Sequence, residues 1–339
     1  MNQLYKLYKK YYKGICILFV VLIAISFGAG ETLKKIEIGE IAGIYNTIVA
    51  FVPQKILTVL EQIKLLIVVL WIVSLTLYFW KKRMNILCHT SLAYGVAPVS
   101  ENIKKEYRIK KMDLDISKYS YPEKLGQVIL EQDFIIKKFN DAKGIHGYYG
   151  IAHTPLIFRA GYMFGDQREC HLFHRKRSND ADFEEWDDST SVSDWETSFK
   201  EVREENKTSK SDELIVAIST SFEIKDSEVE SLSKPKCHVI KFQTQTLGFD
   251  VIGNYSQAEL LRKQIMGKIR EKVKKYDIKR IHMVISSSVA FTFFLGMAYS
   301  RQHDPEIIVY HYENGKYAWG LDVKRTGNEA IVIPTNTKQ

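Results

Sequence analysis

The 339-residue chain lacks nearly every short pattern that marks an enzyme. No GxGxxG follows a strand-like run and no GxxxxGK[ST] occurs, so neither of the common glycine-rich phosphate cradles is signalled. A GxSxG nucleophile elbow and an HExxH metal motif are also missing. Cysteine is scarce. Cys16, Cys88, Cys170 and Cys237 show no CxxC spacing, which supports neither a zinc site nor a disulfide framework. Free thiols in a reducing compartment are the expectation. His171 and His174 are spaced HxxH, but on an expected strand, where they point to opposite faces. The acidic run from Asp180 to Asp188 reads as a solvated loop, and no carboxylates are paired for acid–base work. No catalytic constellation emerges, and neither a metal nor a cofactor is expected.

What is present divides unevenly. Hydrophobic residues make up 45% and charged residues 26%, ordinary averages that conceal a split. The first 80 or so residues carry two uncharged apolar runs, Ile15 to Gly28 and Leu65 to Trp80. Extended to Tyr11–Gly30 and back toward Pro53, each is long enough for a spanning helix, which takes about 17–25 residues. Lys6, Lys9, Lys10 and Lys13 precede the first run, and Lys81, Lys82 and Arg83 follow the second. Both clusters belong on the cytoplasmic side, so the expected topology is a two-pass hairpin in a bacterial inner membrane with both termini inside. The intervening Glu31–Lys55 is amphipathic enough to lie in the interface. A cleaved signal peptide ending near Gly28-Ala29-Gly30 is the rival reading, and it leaves the large domain on the same side. The net charge of +8 sits mainly beside these runs and calls for no DNA or RNA partner.

Residues 1–90 are thus read as a membrane hairpin, 91–118 as a juxtamembrane linker and 326–339 as a tail, with one soluble domain over 119–325. Within it, helices are expected over Glu123–Asn140, Thr154–Phe164, Ser256–Tyr276 and Val289–Arg301. The first should bury Leu125, Val128, Ile129, Phe134 and Ile135, and the third should be capped by Ser256 with Glu259 three residues on. Strands are expected over Ile145–Ala152, Glu169–His174, Leu214–Thr220, His238–Gln243, Lys279–Ile285, Glu306–Tyr312 and Tyr317–Val323. The polar stretch from Ser178 to Glu213 reads as a loop or partly helical insertion. Alternating strands and helices imply a parallel-rich α/β domain. Two stretches look alike, beginning IHGYYGIAHTPLIFRAGYMF at Ile145 and IHMVISSSVAFTFFLGMAYS at Ile281. Each gives Ile-His, a strand, a polar turn and an apolar helix with a central glycine, Gly161 or Gly296. A duplicated half-domain, with units at about 119–212 and 213–325, accounts for them; generic βαβ similarity is the alternative.

In an open α/β sheet, ligands bind beyond the carboxyl ends of the strands, where helix N-termini point amides at an anion. His153-Thr154 and Ser286-Ser287-Ser288 occupy that position in the two halves, and Ser219-Thr220 follows a third strand. The same residue types are ordinary helix caps. Tyr312, Tyr317 and Trp319 could stack on bases or serve as core.

The run IHMVISSSVAFTFFLGMAYSRQHDPEIIVYHYENGKYAWGLDV resembles the closing segment of SAVED domains, and IAHTPLIFRAGYMFGDQ is similar to the matching part of the first unit. The resemblance covers roughly Tyr119 to Val323. It implies two fused Rossmann-like (CARF-like) units that bind a cyclic oligonucleotide, a trinucleotide above all. With the hairpin, the chain resembles the transmembrane effectors of CBASS anti-phage systems. In these, ligand-driven homo-oligomerisation disrupts the inner membrane and aborts infection. A pocket carried over from the family maps onto His153, Thr154, Ser219, Thr220 and Ser286 to Ser288. The sequence lacks the proline that many relatives place after that last turn. A membrane-tethered enzyme of CARF-like fold that degrades a nucleotide is the alternative.

Overall fold

A computed structural model describes residues 66, 68–73, 82–92, 101–175, 183–186, 200–205, 211–232 and 237–334. The chain forms two compact units, one of Met1–Lys82 with Lys104–Arg108, the other of Arg83–Ile103 with Ile109–Gln339. Of the first, Leu66 and residues 68–73 are helical, and Leu66, Val69, Leu70, Ile72 and Val73 are about half exposed. Among the described residues no helix is long and apolar enough to cross a membrane. The first expected span falls wholly outside them, and of the second only residues 66 and 68–73 are described.

The second unit contains two sheets. From Arg83 onward the elements run β1 (Arg83–Thr90), α1 (Glu101–Glu106), whose second half belongs to the first unit, β2 (Arg108–Asp115), α2 (Leu125–Asp141), β3 (Ile145–Ile151), α3 (Thr154–Phe164), β4 (Cys170–Arg175), β5 (Phe183–Glu185) and β6 (Lys200–Glu205). There follow β7 (Glu213–Ser219), α4 (Asp226–Leu232), β8 (His238–Gln243), α5 (Tyr255–Tyr276), β9 (Arg280–Ser286), α6 (Val289–Met297), β10 (Glu306–Glu313), β11 (Lys316–Asp322) and, after a 3-10 turn, β12 (Ile331–Val332). The first sheet has the order β2-β1-β3-β4-β5 and the second β12-β11-β10-β9-β7-β8-β6.

The two orders share a pattern. β1 and β7 each lie between an outer strand and the strand that opens the repeat, β3 or β9, with which they pair in parallel. β3 then pairs in parallel with β4, and β9 with β10. Antiparallel strands β5 and β11 follow at corresponding places. The duplication is therefore one of topology, and it starts earlier than expected. β1 comes from residues assigned to the membrane hairpin and β2 from the assigned linker. The first half-unit begins at Arg83, because RMNILCHT buries Met84 to His89 as a central strand. β7 reads as a continuous apolar run for the same reason: parallel on both sides, it buries Leu214 to Ser219.

Between the half-units, α3 lies on α6 at their two glycines. A Cβ on Gly161 would sit 2.0 Å from the Phe293 carbonyl oxygen, and one on Gly296 would sit 2.2 Å from that of Phe158. Each helix thus offers its bare Cα to the other's backbone, and the pair shares one hydrophobic core with Tyr148, Phe158, Phe291 and Phe293.

Three local expectations are corrected. In α2 the buried stripe runs Leu125, Val128, Ile129, Gln132, Ile136 and Phe139, leaving Phe134 exposed on the far side with the Lys138 ammonium 4.0 Å from its ring centre. Gln132 takes the inward place because its amide donates to Leu156 O at 2.8 Å and its oxygen accepts from buried Arg159 at 3.0 Å. Helix α5 is capped by Asn254, which accepts from Gln257 N at 2.8 Å, while the Gln257 side chain accepts from Gly253 N at 2.8 Å. Glu259 pairs instead with Arg262 and Lys263. Among the described residues of 178–213 there are the strands β5 and β6 and irregular backbone, where a loop or partly helical insertion was expected, and no helix. Cys88, Cys170 and Cys237 are buried free thiols, and Cys16 lies outside the described residues.

Candidate functional site

The strand-to-helix corner of β9 and α6 is built by its own backbone. Thr220 N and Ser221 N both donate to Ser286 O, at 2.8 and 3.0 Å, and Phe222 N donates to Ser286 Oγ at 3.0 Å. The loop after β7 is thereby tied to the end of β9. Thr220 Oγ1 donates to Ser287 Oγ at 2.8 Å, which leaves the Ser287 hydroxyl hydrogen to point elsewhere. Ser288 is the N-cap of α6 and accepts from Phe291 N. Val289 and Ala290 stand in the first turn, where no carbonyl of the helix can reach their amides.

The corner of β3 and α3 offers less. Pro155 has no N–H, and Leu156 N and Ile157 N turn back to His153 O. Thr154 remains, with its amide and hydroxyl. Both corners open onto one cavity of about 480 Å³. Thr154, Ser286, Ser287, Ser288, Tyr312 and Tyr317 line it, together with Phe222, Glu223, Glu228, Phe249, His174 and His311, among others. No lysine or arginine is among the described lining residues.

The ten expected site residues therefore separate. Six line the cavity and four do not. Ser219 is buried, its hydroxyl accepting from Ile224 N at 3.1 Å, so it shapes the loop. Thr220 is buried behind Ser287. Trp319 is wholly buried and stacks on Tyr121 at 5.9 Å, which makes it core and unable to meet a base. Tyr317 is a buried wall against Tyr310, whereas Tyr312 is 44% exposed and donates to Glu228 Oε1 at 2.8 Å. The sequence contained a signal for this last placement that the reading passed over. Asn314-Gly315, with φ of 51° and 80°, is the dipeptide of a tight hairpin turn, and it sets the register of β10 and β11. Phe222, Phe249 and Glu228 carry no local signal, because only the loop folding over Ser286 brings them in.

His153 belongs to a second group, behind the cavity wall. Its backbone N–H donates to Ser91 Oγ at 2.7 Å, and its Nδ1 lies 2.6 Å from the same oxygen. His311 stands edge-on at 4.6 Å and Tyr121 at 4.4 Å. His89, fully buried, bonds Tyr148 Oη at 3.0 Å. Burial holds all three imidazoles neutral. The pKa of His153 falls to about 3 with help from His311, that of His89 to about 3 with help from His153, and that of His311 to about 4. His153 is thus no cation for a phosphate.

A consequence for stability follows. The unfolded chain takes up protons on these histidines below about pH 6.5, while the folded chain refuses them until pH 3–4. The unfolded state then binds more protons, so stability is whole above that range and falls as the pH drops through it. The slope is at most about 1.4 kcal/mol per pH unit for each histidine. Chemical denaturation at pH 7.5 and at pH 5 should show a clear loss at the lower value, and an unchanged midpoint would contradict the buried neutral cluster.

Among solved structures, the chain is similar to the SAVED/CARF-domain receptor Cap4 of Acinetobacter baumannii with the cyclic trinucleotide 2′3′3′-cAAA, at 16% identity and a TM-score of 0.49 over 77% of this chain. The same receptor with 3′3′3′-cAAA matches at 16% and 0.48, and Cap4 of Moraxella osloensis at 15% and 0.41, over 82% of this chain and 62% of that one. The matched part is 59% of the Acinetobacter receptor in both ligand-bound structures. No curated protein matches. Residues 132–323, more than half of the chain, match the family model described as the SMODS-associated and fused to various effectors sensor domain, and the chain accordingly belongs to the SAVED family.

Proposed function

We propose that this chain is a receptor for a cyclic oligonucleotide, anchored in the inner membrane, which the bound ligand leads to oligomerise and to disrupt that membrane in defence against phage. The observation that carries the reading is the single cavity onto which both strand-to-helix corners open. An anion seated there meets the free amides and dipole of α6, the Ser287 and Ser288 hydroxyls, and Thr154 from the other half-unit. Membership of a sensor-domain family supports binding as the role of that cavity.

Size supports assembly. A volume of about 480 Å³ suits a drug-sized ligand, in the usual range of about 300–1000 Å³, and is small for a ring of three nucleotides. Part of such a ring would stand proud and be free to meet a second copy. A ligand drives assembly only if it binds the assembled state better, and surface shared between copies supplies that difference. For the membrane, support comes from the uncharged runs, their flanking lysines and the exposed apolar side chains of helical residues 66 and 68–73.

The test is calorimetry on the full chain in nanodiscs against cyclic di-, tri- and tetranucleotides. One class should bind with nanomolar-to-micromolar affinity, and heat from none of them would end the proposal. On this reading the protein is a receptor and not an enzyme. The ligand should be recovered intact by chromatography after prolonged incubation, and its cleavage would favour a degrading enzyme instead.

A further inference from the structure

We infer that Glu228 and Tyr312 read the edge of a nucleobase laid against Phe222, so that the cavity prefers a base carrying an amino group and rejects uracil. The inference rests on the cyclic-oligonucleotide reading and adds to it which bases the ring contains.

The lining is unusual for an anion site. It has no lysine or arginine among its described residues, yet it has two carboxylates, Glu223 and Glu228. A carboxylate facing a phosphate would repel it, so the acidic side chains must meet some other part of the ligand. Glu228 is well held. Its Oε2 accepts from Lys225 N at 3.0 Å, which closes the first turn of α4, and its Oε1 accepts from Tyr312 Oη at 2.8 Å. A carboxylate oxygen has two acceptor positions, so each keeps one in reserve for N–H donors on a ligand. Adenine, guanine and cytosine present an exocyclic amino group. Uracil has no amino group, and its one donor on that edge, N3–H, lies between two carbonyl oxygens whose partial negative charges would be turned toward the carboxylate.

The same cavity carries an aromatic surface. Phe222 is 61% exposed and Phe249 is 39% exposed, and the rings meet edge to face at 5.0 Å. Two phenylalanines left in water at the rim of a cavity offer the apolar face that a base stacks on. Position joins the two functions. Phe222 N is bonded to Ser286 Oγ, so the stacking ring is fastened to the anion corner.

Capping of α4 is the structural role that Glu228 would have in any case, and it permits a clean variant. Gln serves as well as Glu at this position of a capping box. Glu228→Gln should therefore keep the fold, checked by its melting temperature, while exchanging a pure acceptor for a group that both donates and accepts. The full chain in nanodiscs is titrated with cyclic triadenylate, cyclic triuridylate, cyclic di-AMP and cyclic di-UMP. The wild type should bind the adenine ring of the preferred size at least about tenfold more tightly than its uridine counterpart, the scale of one hydrogen bond to a charged group. Glu228→Gln should shrink that preference, and Phe222→Ala should weaken both rings. Equal affinity for the two bases, or a preference untouched by Glu228→Gln, overturns the inference while leaving the receptor reading intact. Heat from none of the four probes also overturns the inference, and the wider panel of cyclic di-, tri- and tetranucleotides then decides the reading it rests on.

Discussion

Replacing Ser287 by Asp is expected to lower ligand affinity by at least two orders of magnitude. The hydroxyl of Ser287 is turned toward the cavity by Thr220, which donates to its oxygen at 2.8 Å and leaves its hydrogen for an acceptor on the ligand. A carboxylate in the same place loses that donor and adds a negative charge a few ångströms from a phosphate. At about 4 Å and an effective dielectric near 20, the repulsion is on the order of 4 kcal/mol. Beside the N-terminus of α6 the same charge is attracted by the positive end of the helix dipole, so the helix itself should tolerate the change. Ser287→Ala separates the two effects. Losing one hydrogen bond to a charged phosphate is worth about 1.5–3 kcal/mol, roughly a tenfold weakening or more. Calorimetry of wild type and both variants, with melting temperatures as a fold control, reads the series directly. An Asp variant that binds like the wild type would show that phosphate does not sit at this corner.

The second large effect is structural. Gly296→Ala adds one methyl group to an apolar helix, a change that ordinarily stabilises a helix interior by about 1 kcal/mol. Here it should do the opposite. The new Cβ would lie 2.2 Å from Phe158 O and 3.0 Å from Tyr162 N, and these are backbone atoms that cannot rotate away. α3 and α6 must separate, opening the core on both sides of their crossing. Overpacking of this kind costs about 1–3 kcal/mol, and a backbone clash belongs at the upper end. For a domain of this size the melting temperature should fall by roughly 6–12 °C. Gly161→Ala should behave alike, because its Cβ would meet Phe293 O at 2.0 Å. Gly267→Ala on α5 is the control. Nothing lies within 4 Å of its Cβ, so propensity alone should act and the protein should gain stability. If all three variants melted alike, the α3–α6 crossing would not be the joint between half-units.

The same joint ties the cavity to the fold. α6 supplies its N-terminus to the cavity and its central glycine to the crossing, and α3 does the same from the other half-unit. A shift of one helix along the other would move Thr154 relative to Ser287.

Much of this architecture was legible from residue order. Helix α3 was expected over the residues it occupies, and the strand–turn–helix repeat was visible in its two copies because glycine is placed where the helices cross and polar residues where they start. Buried parallel strands such as β7 announce themselves as uninterrupted apolar runs. β1 and β2 were missed for the complementary reason. RMNILCHT follows an apolar run and carries polar residues, Asn85 and His89, that only tertiary partners make acceptable inside: Asn85 donates to Lys143 O at 3.0 Å and His89 bonds Tyr148.

For the candidate site, period and composition located the corners, since short hydroxyl residues between a strand and a helix have few places to be. They could not say which hydroxyls face outward. Ser219 and Thr220 resemble Ser287 in type and setting, yet the loop over Ser286 turns the first two inward and the third toward the cavity. Nor could they recruit Phe222, Phe249 and Glu228 or retire Trp319. Local chemistry sets what a segment can become, through propensity, capping and the pattern of apolar residues. Which polar group is left over for a ligand depends on which of its neighbours the fold has already satisfied, and those neighbours are as much as 84 residues away along the chain.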